Sequence, residues 1–400
     1  MEAASRVLGP VDVRPGLASI SAPSPTDVGM THALAGSPSL APFVKWPGGK
    51  SHELPAISNL APRLSGRYID PFVGGGSVLL AVPEPVAAWA NDVVEDLVGL
   101  YRTSAEGQAG FRSAVAGLGA AWHNLSAPEG LYAGIAKAFV DGAPPLATFS
   151  ALGGRSALEP ILLIAGPGLE AEFYARLLQD LPSKFDRMRA IQRRRGNLPH
   201  EDLLANVEGA VRSAFYMSIR WRYNRARVSQ RTDETRLADF FFLREFAYAA
   251  MFRFNRRGEF NVPYGGISYN RKSFMDKGDQ LFSSAMLSRL QNTTWRSTDF
   301  EAFLGEAGPA KRDFVFVDPP YDSDFRRYDD RAFNLRDQER LQSLLEGSPS
   351  RVMIVIKATP LIRRLYRLDR WRIVEADKTY MWTIKSRNNR TAVHLTITNY

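Results

Sequence analysis

The chain has 400 residues, 45% of them apolar and 23% charged, a composition that suits one large or two medium globular domains. It contains no cysteine, which excludes disulfides, thiolate metal sites and cysteine nucleophiles, and its five scattered histidines do not suggest a metal cluster. The formal charge of +9 points to an anionic partner; no apolar run approaches the roughly 18 residues of a membrane span and Met1-Glu2 opens no secretory signal, so a cytoplasmic location without membrane contact is expected.

Residues 1–40, rich in Ala, Ser, Pro and Gly without periodicity, predict a flexible tail. Ala41 to Lys50 then places Trp46, Pro47, Gly48 and Gly49 before a helix-like stretch from Ser51. A glycine pair permits close backbone approach to a ligand and Lys50 offers a cation, although a plain turn explains these residues as well. Tyr68–Asp70 predicts a short strand, Pro71 to Gly76 a tight loop, and Ser77 the N-cap of a helix. That is the strand, glycine loop and helix of a nucleotide-type pocket, without the Gly-x-Gly-x-x-Gly order. A second strand, Val86 to Ala90, ends at Asn91-Asp92, which puts Asp92 about 20 residues past Asp70, where a carboxylate reaches a ribose diol in such folds.

From Leu97 to about Arg212 the period is helical, broken by Gly and Pro clusters, and reads as a helical insertion. The stretch Lys184 to Arg257 holds 17 basic residues against 8 acidic, a net +9 that equals the excess of the whole chain. Within it, Glu208 to Arg227 predicts a helix that interleaves Phe215, Tyr216, Trp221 and Tyr223 with Arg212, Arg220, Arg222, Arg225 and Arg227. Such interleaving suits contact with phosphates and bases; a core aromatic stripe would account for half of these residues equally well. The run Arg193-Arg194-Arg195 reads first as a solvated face. Phe240 to Tyr264, with Gly258 and Pro263, predicts loop and hairpin more than helix.

Phe314 to Val317 predicts a fully buried strand that must stop at Asp318, because Pro319 and Pro320 cannot continue a ladder. In parallel sheets ligands sit at the carboxyl ends of strands, so Asp318, Pro319, Pro320 and Tyr321 face a binding crevice. A carboxylate and a proline carbonyl can accept hydrogen bonds from the amino group of a flat nitrogenous ring, on which the tyrosine can stack. A helix from Asn334 to Leu345, a strand from Val352 to Ile356, a helix from Ile362 to Tyr366 and two antiparallel strands, Trp371 to Ala376 and Ala392 to Thr398, complete the chain. The expected fold is α/β: a doubly wound sheet domain from residues 41–104 and 280–400, with a largely helical module inserted at 105–279.

The motifs Lys45-Trp46-Pro47-Gly48-Gly49-Lys50, Asp70 to Ser77, Asn91-Asp92, Arg253 to Gly265 and Asp318-Pro319-Pro320-Tyr321 follow one another in this order, and Thr398-Asn399-Tyr400 closes the chain. In this the sequence resembles the Dam-type, alpha-class (D12) N6-adenine-specific DNA methyltransferases over roughly residues 42–400, the helical insertion aside. The resemblance implies a Rossmann-like sheet, S-adenosylmethionine as cofactor with no metal, and methylation of an adenine flipped out of double-stranded DNA. It implies that Trp46, Gly49 and Lys50 border the cofactor, that Asp70, Phe72, Gly74 and Gly76 cradle it, and that Asp92 holds its ribose. Asp318, beside the methyl donor, would hold the adenine together with Pro319, Pro320 and Tyr321. With the basic middle, it places Arg220, Arg222, Arg244, Arg253, Asn255 and Arg257 at the DNA. A restriction endonuclease partner in the host is the associated expectation. The rival readings are an N4-cytosine or RNA-base amino methyltransferase, and a non-catalytic DNA-binding protein on the same fold.

Two stretches depart from the family pattern. Arg244-Glu245 and Ala249-Ala250 stand where relatives commonly read Asn-Arg and Asn-Gly, and Lys357-Ala358-Thr359 replaces a short Ser-Asn run. Arginine favours guanine O6 and N7, so Arg244 is expected to read a base and to move the main target away from GATC.

Overall fold

The computed structural model describes residues 40–83, 86–229, 233–320, 333–379 and 391–400. Residues 1–39 of the predicted tail, and Tyr321, lie outside them. Seven strands form one sheet: β1 (Tyr68–Asp70), β2 (Ala88–Asn91), β3 (Thr293–Arg296), β4 (Phe314–Val317), β5 (Arg351–Lys357), β6 (Arg372–Thr379) and β7 (Thr391–Thr398), in the order β3-β2-β1-β4-β5-β7-β6. The first five are mutually parallel; β7 runs antiparallel to both β5 and β6. The chain winds outward from β1 in one direction and from β4 in the other. Their carboxyl ends therefore meet at the switch point where such sheets open a crevice. Asp70 and Asp318 both fall there.

Strand side chains alternate between the two faces. Tyr68, Ala88, Phe314, Phe316, Met353 and Val355 enter one core cluster, whereas Ile69, Val315, Val317, Val352, Ile354 and Ile356 enter the other. Burial on both faces is why β4 and β5 read as unbroken apolar runs rather than as alternations. After α1 (Leu54–Leu60), the first face is covered from the long connection between β2 and β3. That connection holds α2 (Glu95–Ala105), α3 (Ala109–Asn124), α4 (Glu129–Val140), α5 (Pro145–Ala151), α6 (Gly154–Ile164), α7 (Glu170–Arg195), α8 (His200–Val228), α9 (Glu234–Phe246), α10 (Met275–Leu281) and α11 (Ser284–Gln291). Despite its length, β2 and β3 pair in parallel from Ala88 opposite Thr293 to Asn91 opposite Arg296. The second face is covered by α12 (Phe300–Ala307), α13 (Leu335–Glu346) and α14 (Pro360–Leu365).

Two local expectations change. No α-helix follows the glycine loop. A single 3-10 turn, Leu79–Ala81, stands there instead, because Pro83 forces Val82 into extended backbone and ends the helix before it begins. Ser77 is buried, with its Oγ 3.2 Å from Ser51 Oγ, and caps nothing. In the second case, helix α9 runs through Phe246 where a hairpin was expected. Asp233 caps it by accepting from Arg236 N at 2.7 Å, and Phe240, Phe241, Phe242, Leu243 and Phe246 are all buried. A helix buried on every side, its charged Arg236, Asp239, Arg244 and Glu245 included, shows no apolar stripe whose period could be read from the sequence.

Candidate active site

The loop after β1 is fixed from several sides. Asp70 is 2% exposed; one carboxylate oxygen accepts from the Tyr68 hydroxyl at 2.7 Å and the other from Phe72 N at 3.1 Å. Asn91 donates to the carbonyls of Pro71 and Thr298 and accepts from Thr298 N, which rivets the loop to the segment after β3. The Tyr101 hydroxyl donates to Gly74 O at 2.9 Å, while its ring stacks on Trp295 with centroids 4.5 Å apart. Gly74 and Gly76 have φ of +49° and +72°, and a Cβ on Gly74 would come within 2.9 Å of the Trp46 ring. These glycines are needed for backbone turning and for seating Trp46 on the loop. Phe72 packs against Phe300 and Phe333, centroids 5.6 Å away in each case. Gly49 is exposed and meets its neighbours at ordinary contact distance.

Asp92 accepts from Gly74 N at 3.2 Å and Val94 N at 3.0 Å. At the end of β4, Asp318 pairs with Lys50, whose Nζ donates to Oδ2 at 2.5 Å and to Gly48 O at 2.9 Å. Lys50 is 3% exposed and Asp318 19%. Burial pushes the Asp70 carboxyl up to about 7, against its two hydrogen bonds, and the charges of Asp318 and Asp92 add to the rise. Burial likewise raises Asp92 to about 6, opposed by the N–H groups of Val94 and Gly74. Three carboxylates thus share one crevice with one buried lysine. The crevice suits a cationic or polyhydroxyl ligand.

Sequence reasoning missed Asn91's role as a rivet, Tyr101 and Val93. Val93 follows Asp92 and is 75% exposed, an apolar side chain at the rim of the crevice. Exposure at a strand end carries no sequence signal, and Tyr101 reaches the loop only through the packing of α2.

On the predicted DNA side, two assignments are corrected outright. Arg244 is 1% exposed, and four of its five N–H groups are bonded to backbone carbonyls: Nε and Nη2 to Lys45 O, Nη2 also to Ala250 O, and Nη1 to Met251 O, at 2.6–3.1 Å. It lies beside the packed rings of Trp46 and Phe252, and burial lowers its pKa to about 10. A guanidinium so held cannot reach a base edge, and the expected departure from GATC loses its carrier. Arg222 grips the buried Asp239 with two N–H groups and donates to Ala165 O, so it is a core ion pair. The physical reason is the same in both cases: α8 and α9 bury their arginines against each other and against loop carbonyls.

Arg220 is half-buried and donates to Val262 O. Asn255 shapes a turn, its Oδ1 accepting from Arg257 N and Glu259 N and its Nδ2 donating to Glu259. That turn closes a small hairpin, with Phe254 bridged to Phe260 and Gly258 at φ +74°, anchored on α8 by a reciprocal pair of bonds between Asn224 and the Phe260 backbone. The hairpin exposes Arg253, Arg256 and Arg257, and Arg225 is exposed beside it on α8, its guanidinium 4.8 Å from the Trp221 ring. Phe215, Tyr216 and Tyr223 are core residues.

Ahead of the hairpin, Ala249 and Ala250 have φ of +50° and +53°, the only positive values for residues other than glycine among the described residues. Alanine pays roughly 1–2 kcal/mol for this conformation, whereas asparagine adopts it more readily. Ala249 is exposed, so an asparagine side chain has room. Ala249→Asn is expected to raise the unfolding free energy by about 1 kcal/mol, read as a higher urea midpoint at unchanged slope.

A doubly wound sheet with an acidic crevice at its β1/β4 switch point, and Asp318-Pro319-Pro320 at the strand end beside it, defines an α/β protein built to bind a ligand at that crevice. More narrowly, the chain belongs to the D12 class N6 adenine-specific DNA methyltransferase family, whose model matches residues 46–135 and 188–381. It is 24% identical over 371 residues to the type II methyltransferase M1.LlaDCHI of Lactococcus lactis subsp. cremoris, covering 90% of this chain and 96% of that protein. It is 27% identical over 314 residues to the type II methyltransferase M.MjaIII of Methanocaldococcus jannaschii, covering 75% and 77%. A DNA adenine methylase of Vibrio cholerae matches at 25% over 235 residues, covering 56% of this chain and 80% of the relative. The protein is an adenine-specific DNA methyltransferase acting at N6, and the cytosine, RNA and non-catalytic readings are set aside. The unmatched interval, residues 136–187, spans the end of α4, all of α5 and α6, and the first two-thirds of α7. Among the described residues there is no group able to hold a metal ion, and no helix long and apolar enough to cross a membrane.

Proposed function

We propose that the methyl group comes from S-adenosylmethionine and goes to an adenine flipped out of double-stranded DNA at a specific sequence. The Lys50–Asp318 pair carries this reading, because it joins the segment that edges the glycine loop to the strand end that meets the target base. The crevice fits the cofactor: a sulfonium and an ammonium are cations, and Asp70, Asp92 and Asp318 line it, the first two pushed toward their neutral forms by burial until a cation joins them. S-adenosylmethionine, when bound, supplies an electrophilic methyl group. Asp92 would accept from its ribose hydroxyls, Val93 would offer its purine an apolar face, and the loop from Asp70 to Gly76, backed by Trp46, would hold it.

The amino nitrogen of adenine is a poor nucleophile because its lone pair is delocalised into the ring. The Asp318 carboxylate and the Pro319 carbonyl would accept its two N–H groups, draw the nitrogen toward tetrahedral geometry and free its lone pair, and the amino group would exchange one of these protons for the methyl group. Pro320 fixes the rim and Tyr321 stacks on the base. Lys50 holds Asp318 in place. Positioning of this kind supplies roughly 7–11 kcal/mol in favourable cases. Flipping costs a few kcal/mol, offset by contacts to the duplex from the exposed Arg225, Arg253, Arg256 and Arg257, with Arg220 and Asn255 supporting them from behind. In this reading residues 41–104 and 280–400 form the catalytic domain and 105–279 the DNA-facing module. A restriction endonuclease partner in the host and a cytoplasmic location belong to the same proposal.

Asp92→Ala tests the cofactor half. Loss of a charge-assisted bond is expected to weaken S-adenosylmethionine binding by about 1.5–3 kcal/mol in calorimetry, with DNA affinity in the absence of cofactor unchanged. Unaltered cofactor affinity would place the pocket elsewhere.

A further inference from the structure

The buried guanidinium of Arg244 touches both halves of the machine. Through Lys45 O it holds the segment whose next residue, Trp46, lies on Gly74 and Gly75 of the loop after β1. Through Ala250 O and Met251 O it holds the strained turn from which the arginine-bearing hairpin departs. The guanidinium carbon lies 5.4 Å from the Trp46 ring and 5.0 Å from the Phe252 ring, and those two rings pack on each other with centroids 4.8 Å apart. Phe252 in turn packs on Phe254 and Phe260, the pair bridged across the hairpin. A continuous chain of packed groups therefore runs from the glycine loop through Trp46, Arg244 and Phe252 to the exposed Arg253, Arg256 and Arg257. Nothing in that chain bends freely: the loop glycine is in contact with the indole, and the turn is held in a conformation alanine resists.

We propose that Arg244 is a positioning residue, a latch that couples the cofactor loop to the DNA-facing hairpin, so that occupancy of one raises the affinity of the other. The inference rests on the cofactor and DNA assignments of the preceding section and goes beyond them in naming the residue that links the two sites. Coupling is reciprocal by thermodynamic necessity, so it can be read from either ligand. It also accounts for the company the arginine keeps: a turn of two left-handed alanines needs its carbonyls held, and Arg244 holds them.

The experiment measures the affinity of a duplex containing the methylated sequence, with and without saturating S-adenosylhomocysteine, for the full chain and for Arg244→Met. Methionine keeps an unbranched side chain against the two rings and removes every hydrogen bond. The wild type is expected to bind DNA at least fivefold tighter with the cofactor product present, and Arg244→Met less than twofold tighter. Arg244→Lys keeps the charge, but one ammonium cannot span the carbonyls of both segments, so it is expected to lose the coupling too; it decides the matter if the methionine variant does not fold. Adding Ala249→Asn to Arg244→Met is expected to recover a small part of the thermal stability without recovering the coupling. A purely structural arginine would instead lower the melting temperature and both affinities while leaving the coupling factor intact, and that result overturns the proposal. So does a wild-type factor of one. Failure of the wild type to bind S-adenosylhomocysteine at all is a different failure: it removes the cofactor reading, and the latch with it.

Discussion

Asp318→Ala is expected to lower methyl transfer at least 100-fold, about 2.7 kcal/mol or more of transition-state stabilisation, while duplex binding stays within a few-fold of wild type. The carboxylate stands at the end of a strand whose four residues are all 0–2% exposed, so its position is set by the most rigid part of the sheet. Two roles are lost together in the alanine variant. The target amino group loses an acceptor, and Lys50, at 3% exposure, loses its anion and keeps the Gly48 carbonyl. Asp318→Asn separates them, since the amide oxygen still accepts a hydrogen bond but balances no charge. If catalysis depends on the carboxylate's charge, the asparagine variant falls nearly as far as alanine. If acceptor geometry suffices, it retains a substantial part of the activity. Single-turnover rates with saturating cofactor and DNA make the comparison, and circular dichroism with cofactor titration guards against misfolding. An alanine variant that keeps more than about a hundredth of the wild-type rate would refute the assigned role.

Most of the sheet was legible because its strands obey simple rules. Phe314 to Val317 is apolar without a gap and ends in two prolines, so both its burial and its end could be read directly. Asn334, Ser283 and Thr359 sit at helix starts as sequence rules favour, and each accepts from a backbone N–H there. The site motifs could be found because strand ends at a switch point need carboxylates and glycines in fixed order. What could not be read was the fate of the arginines. Arg222, Arg244 and Arg253 look alike in sequence, but two are buried and one is exposed, according to whether a packed helix offers carboxylates or carbonyls within reach. The positive charge of that stretch argued correctly for a nucleic-acid partner, yet Arg212, Arg222, Arg236 and Arg244 serve the core instead. The false helix after the glycine loop failed on a single residue, Pro83, whose reach back to Val82 outweighed the capping pattern at Ser77.

The acidic crevice has a consequence for stability that is expected to be large. Asp70 titrates near 3.8 in an unfolded chain and at about 7 when folded, chiefly because burial disfavours its charge. The folded state therefore holds a proton that the unfolded state has released, between about pH 4 and pH 7. The carboxyl's contribution to stability is fully present below about pH 4 and is lost as pH rises through about 7. Asp70→Asn removes this dependence while keeping the shape: the amide oxygen can accept from Phe72 N, and its nitrogen can face the Tyr68 hydroxyl, which then accepts. The cofactor-free variant is thus expected to gain on the wild type by about 3–4 kcal/mol between pH 4 and pH 8, at about 1.4 kcal/mol for each tenfold difference in proton affinity between the two states. Urea unfolding of both proteins at four pH values across that range measures the difference. A flat difference would mean that Asp70 stays ionised throughout, and the crevice would then be less enclosed than its geometry indicates. Asp92, raised to about 6, adds a smaller slope of the same sign to both proteins and cancels in the comparison. A cationic cofactor should reverse the trend, because it rewards the ionised carboxylates. Saturating S-adenosylmethionine is therefore expected to stabilise the wild type more at pH 8 than at pH 5, and to stabilise Asp70→Asn with a weaker dependence on pH.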